Sequence, residues 1–109
     1  MNIKQILKTH NLTAKQLAQG IGAAVRTVHY WANNTQKPTP AAKVAIDIFL
    51  AGGEHGTYTR KDWLKYKNTR TFEQIEIETG LPMSTIKNLN TAEKFNKTLQ
   101  FVLHNRGRV

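Results

Sequence analysis

Apolar residues recur at intervals of three and four along almost the whole chain, and no stretch alternates with period two for long enough to make a strand. That period dictates short amphipathic helices, each of which must find a neighbour for its apolar stripe. The expected fold class is all-α, built as one or two small helical bundles. At 109 residues the chain holds one ordinary domain or two small lobes sharing a surface, too little for a barrel enzyme.

Punctuation residues divide the pattern. Ile3, Ile6, Leu7 and His10 share a stripe, which predicts a first helix with Lys4 and Lys8 outside. Thr13 with Gln16 is a capping-box pair, so a second helix is expected from Ala14 to Gln19, burying Ala14, Leu17, Ala18 and Ile21. Gly22 breaks the run, and a third helix resumes near Ala24 with Val28 and Trp31 inside, ending at Asn33-Asn34. Pro38-Thr39-Pro40 forces a turn before a fourth helix, Ala41 to Ala51, closed by Gly52-Gly53. This fourth helix is apolar on two faces, Val44, Ala45 and Ile48 on one and Ile46, Phe49 and Leu50 on the other. Its second face must meet either a partner subunit or the C-terminal half.

After a connector, Glu54 to Tyr58, Thr59 caps a helix bearing Trp63, Leu64 and Tyr66, and Thr71 precedes another, Phe72 to Thr79. Gly80-Leu81-Pro82 interrupts before Met83, Ile86 and Leu89 resume the stripe. A last helix is expected after Thr91, with Ala92, Phe95, Leu99, Val102 and Leu103 on one side and Phe101 off the stripe, a candidate interface residue. Asn105 to Val109 reads as a frayed basic tail. The expected units are 1–53 and 54–109.

Sixteen Lys and Arg against seven Asp and Glu give a net charge of +9, an electrostatic footprint for a polyanion. With 39% hydrophobic residues the charge decorates a packed fold and is not a disordered tail. Residues 1–53 carry Lys4, Lys8, Lys15, Arg26, Lys37 and Lys43 against the single acid Asp47, whereas 54–109 mix ten bases with six acids. The absence of cysteine excludes disulfides, thiolate zinc sites and a Cys nucleophile. The start MNIKQILKTH lacks the apolar run of a signal peptide and no later segment is membrane-length, so an intracellular, cytoplasmic protein without a membrane partner is expected. No phosphate-cradling loop, no His-Glu-x-x-His and only scattered histidines point away from an enzyme and from any cofactor or metal.

Leu12 to Trp31 (LTAKQLAQGIGAAVRTVHYW), followed by Lys37-Pro38-Thr39-Pro40, resembles the helix-turn-helix of the lambda repressor and Cro family. Two helices that cross closely need a small residue at Ala18 and a sharp turn at Gly22, with Leu17, Ile21, Val28 and Trp31 locking the angle. Ala24 stands where the family has a Ser-like cap, Ala32 where it often has Glu and Asn34 where Gly is common, departures that weaken capping and leave the buried positions intact. The resemblance implies an N-terminal repressor-like helix-turn-helix unit that places the third helix in the major groove of double-stranded DNA, with base-edge roles for Val25, Arg26 and Tyr30 and with His29 and Thr27 at the groove wall. Val25 reads equally as a core residue at the helix start, and Tyr30 as a ring covering the core edge. Phosphate contacts are expected from Thr13, Lys15 and Thr27 and, beyond the helix, from Asn33, Asn34 and Lys37.

Thr71 to Leu89 (TFEQIEIETGLPMSTIKNL) resembles a second, divergent helix-turn-helix within a C-terminal unit of three to four helices. Glu76 occupies the slot of Ala18, so the helices cross more widely, or Glu76 pairs with a base, or the segment is an ordinary hairpin. A second DNA site would use Ser84, Thr85, Lys87 and Asn88. Arg60, Lys61, Lys65, Lys67 and Arg70 are expected chiefly to pair locally with the glutamates, and the C-terminal half to dimerise. These readings converge on a sequence-specific DNA-binding regulator, a phage or mobile-element repressor acting as a homodimer. The alternatives are a mobile-element accessory protein of replication, packaging or excision, and an antitoxin-like adaptor.

Overall fold

The computed structural model describes residues 1–108 and contains α1 (Ile3–Thr9), α2 (Ala14–Ile21), α3 (Val25–Ala32), α4 (Pro40–Leu50), α5 (Arg60–Asn68), α6 (Phe72–Thr79), α7 (Met83–Thr91) and α8 (Lys97–Arg106), with no strand among the described residues. The chain is all-α. Local chemistry explains most helix starts. Thr13 with Gln16, Thr59 with Asp62 and Thr71 with Gln74 each close a full capping box, the hydroxyl accepting the third amide while the third side chain accepts the cap's own amide. Thr39 and Asn96 cap α4 and α8, and Pro40 opens α4 where its missing N–H costs nothing. Ala24 and Pro82 give α3 and α7 no side-chain cap, the weakness that Ala24 predicts.

One hydrophobic core runs through the chain. Leu17, Ala18, Ile21, Val28 and Trp31 fill it from the first unit, Trp63, Tyr66, Ile75, Ile86 and Leu89 from the second. Between them lie Ala45 and Ile46 of α4 and Phe101, Val102 and Leu103 of α8. Both apolar sides of α4 are covered within the chain, with Phe49 packed on Gly20 of α2 and Val44 lying against Gly80 of the C-terminal half, and the packing of α4 on α8 is the most extensive helix contact in the fold. Burial of a single such aliphatic side chain contributes about 1.5–3 kcal/mol, so this seam is a major source of stability.

Several sequence expectations change. The last helix starts at Lys97, not after Thr91. Thr91 ends α7, its hydroxyl donating back to the Asn88 carbonyl, and Arg60 donates to the carbonyls of Ala92 (2.7 Å) and Asn90 (2.9 Å), which terminates that helix. Ala92 and Phe95 therefore precede α8, and Phe95 is buried from the linker. Phe101 is no interface residue: it is buried, 1% exposed, with its ring 4.5 Å from that of His55. His10 is an exposed C-cap, outside the buried stripe. Glu76 faces solvent, since Ile75 and Thr79 take the inward positions. The Thr79 hydroxyl is satisfied by donating to the Ile75 carbonyl (2.6 Å).

The expected connector and tail prove to be pinned to each other. The buried Tyr58 hydroxyl donates to the Gly107 carbonyl (2.7 Å), Arg108 donates to the Thr57 carbonyl (2.7 Å), and Asn105 both accepts from the Glu54 amide and donates to its carbonyl. His55 bonds the Gly20 carbonyl at 2.8 Å through Nε2. Asn105 and Arg106 are helical and Gly107 is buried; Val109 lies outside the described residues.

Two glycines are required by geometry. Gly22 (φ 74) and Gly80 (φ 75) end α2 and α6 in the left-handed conformation, and both face a neighbouring helix. A Cβ at Gly22 would lie 2.8 Å from Lys97 Cβ and 3.0 Å from its backbone, whereas at Gly80 it would meet the Val44 side chain at 3.2 Å. Gly80→Ala should cost about 1–2 kcal/mol through backbone strain, and Gly22→Ala distinctly more because backbone must move; urea unfolding measures both. Tyr58→Phe, which leaves the Gly107 carbonyl without its donor, should cost about 1–3 kcal/mol in the same assay.

Candidate nucleic-acid interface

The α2–α3 unit sets its outward side chains on a buried base. Val28 and Trp31 anchor α3 at 0% and 6% exposure, which turns Val25, Arg26 and His29 to solvent. Val25, 38% exposed, is therefore no core residue. Tyr30 and Thr27 are half-buried at the edge of this face, so Tyr30 both covers the core and shows part of its ring.

Thr13 and Lys15 lie exposed at the start of α2. The Thr13 amide and hydroxyl oxygen are engaged with Gln16, so the amides of Ala14 and Lys15 are the ones left at the helix start. At the other end, Asn33, Asn34 and Lys37 are exposed. The Asn33 side-chain oxygen accepts from the Thr35 amide (3.2 Å) and hydroxyl (2.6 Å), which leaves its amide nitrogen as the outward donor, and Asn34 turns the chain at φ 62. Arg26, Lys15 and Lys37 form no ion pair among the described residues. Their charge is unopposed.

On α7, Ser84, Lys87 and Asn88 are exposed and Thr85 is half-buried, so the second group of expected residues also shares an outward face. Its surroundings differ. Glu73, Glu76 and Glu78 are exposed on α6. Arg70 is spent on Glu78 (2.7 Å) and lies 4.4 Å over the Tyr66 ring. Burial and the hydrogen bond to Glu78 push the Tyr66 phenol up to about 12, so it stays a proton donor at neutral pH. Arg60 and Lys67 hold the end of α7 through Asn90 and Ala92. Of the basic segment, only Arg70 makes the expected pair with a glutamate; Lys61 and Lys65 remain exposed.

One cation escapes sequence reasoning. Lys97 is exposed at the start of α8 and stands beside the Gly22 turn, where Thr98 donates to the Gly22 carbonyl (3.3 Å). No local signal announces a contact between residues so distant in the chain. An open cleft here is lined by Gln19, Gly22, Ala24, His55, Lys97 and Gln100 among others. Among the described residues no three His, Cys, Asp or Glu converge on a point that would hold a metal, and no helix is long and apolar enough to cross a membrane. No protein-family model matches the chain, and comparisons with curated proteins and with solved structures find no match.

Proposed function

We propose that this chain is a sequence-specific DNA-binding regulator that uses α2 and α3 as a helix-turn-helix, with α3 in the major groove. The observation that carries the reading is the outward face of α3, where Val25, Arg26 and His29 project from a rigid base and unpaired Lys15 and Lys37 flank it. Arg26 offers two parallel donors that match the paired acceptors of a guanine edge, and exposed Val25 suits a thymine methyl. The free amides at the start of α2, with Lys15, Asn33 and Lys37, suit backbone phosphates. Binding that excludes polymerase from an overlapping promoter would make the protein a repressor, in keeping with a phage or mobile-element regulator. An accessory role in replication, packaging or excision uses the same surface at a different location on DNA.

The adaptor alternative loses its motive, because the apolar faces of α4 and α8 that would take a partner protein cover each other. The same contact bears on the homodimer that the resemblance implies: α4 offers no free apolar face for it.

Arg26→Ala should weaken binding to a selected duplex by about 1–3 kcal/mol while leaving a random duplex nearly unaffected. Fluorescence anisotropy on the two duplexes checks this, and equal losses on both would count against base reading by α3. Lys37→Ala should weaken both duplexes alike and reduce the slope of log affinity against log salt by about 1. An unchanged slope would remove Lys37 from the phosphate contacts.

A further inference from the structure

The two halves of the chain repeat each other beyond the paired motifs. The offset that separates the cap Thr13 from Thr71 also separates the left-handed Gly22 from Gly80 and the anchors Val28 and Trp31 from Ile86 and Leu89. It carries α1 onto α5 within a residue at each end and α4 onto α8 within two. The packing follows the same rule. Outward from the central α4–α8 pair, α4 meets α2 and α2 meets α3, while α8 meets α6 and α6 meets α7. Across the centre, the turn glycine of each half lies against the fourth helix of the other, Gly22 against Lys97 and Gly80 against Val44. The reciprocity is one of helices and not of residues, since Lys97 opens α8 whereas Val44 lies in the middle of α4, and such an exchange approximates a two-fold interface, in which each unit gives the other the same surface.

We infer that the chain is a covalently joined pseudo-dimer, with its second unit seated on α4 where a second subunit would sit, and that one chain reads two half-sites of one duplex. This rests on the DNA reading proposed above. In it α3 enters one major groove and α7 the next, so Lys87 and Asn88 are a second base-reading pair. The molecule is 40 Å long, and α3 and α7 stand at the two ends of the packing order α3, α2, α4, α8, α6, α7. That length exceeds the roughly 34 Å between successive major grooves on one face of a duplex. Arg26, His29 and Tyr30 of the first helix correspond to Ser84, Lys87 and Asn88 of the second. Unlike readers need unlike half-sites, so the bound sequence is bipartite without being a palindrome. With Glu73 and Glu76 flanking α7, the second half-site is the weaker of the two.

Selection of duplexes from a random pool by the purified full chain, followed by native mass spectrometry of the complex and base-by-base substitution, tests the inference. The expected result is one chain per duplex and two blocks of preferred sequence. Arg26→Ala should then relax one block and Lys87→Ala with Asn88→Ala the other, each weakening the complex on the order of tenfold. These side chains are exposed, so circular dichroism of the variants should match the parent. A single block that is insensitive to Lys87→Ala, or a palindrome carrying two chains, would overturn the pseudo-dimer and leave reading by α3 standing. A chain that selects no sequence at all would overturn both.

Discussion

The packing of α4 on α8 is the contact on which the rest of the molecule depends. A helix with Val44, Ala45, Ile46 and Ile48 all buried cannot lie on a surface, because at least one apolar face would stay in water. Its own unit covers one face through α2, where Gly20 lets the Phe49 ring approach. The other face needs a helix from elsewhere. In α8, three consecutive buried residues, Phe101, Val102 and Leu103, point to cover on more than one side, and α4, α6 and the connector at His55 provide it.

Once that seam exists, segments with little structure of their own become fixed. The stretch between α4 and α5 has no regular hydrogen-bond ladder, yet Tyr58, Glu54, Thr57 and His55 are each tied to α2 or to the end of α8. Burial holds the Tyr58 phenol well above its ordinary range, so its proton remains on the oxygen that donates to Gly107. Asp62 shows the opposite effect at the head of α5, where the Thr59 amide holds its carboxyl below the usual range and keeps the capping box charged. These ties join the connector to α2 of the first unit and to the end of α8 in the second.

Much of this was legible in local chemistry, because caps and turn glycines act over a few residues. Thr13, Thr59, Thr71, Gly22 and Gly80 mark helix ends where the structure has them, and the three-and-four spacing identifies Leu17, Ile21, Val28, Trp31, Ile86 and Leu89 as core. The start of α8 was not legible, since Thr91 and Asn96 are both able caps and Ala92 with Phe95 extend the apolar stripe backwards. Arg60 decides between them from thirty residues away. Phe101 lies off the stripe of Leu99, Val102 and Leu103 wherever the helix starts, and is buried because the connector at His55 covers that side of α8. The outward faces of α3 and α7 could be read from the helical wheel, but the consumption of Arg60, Lys67 and Arg70 by non-local partners, and the placing of Lys97 beside Gly22, are tertiary facts.

The central claim is that the two units form one cooperative body through α4 and α8. Nature supplies a reporter in each, Trp31 in the first and Trp63 in the second. Trp63→Phe leaves only the first reporter and Trp31→Phe only the second, and tryptophan fluorescence can be followed beside far-ultraviolet circular dichroism as urea is raised. If the seam unites the halves, fluorescence and helix content should lose their signals along superimposable curves in both variants. A reporter that unfolds at its own midpoint, while the remaining helix content persists, would contradict the account.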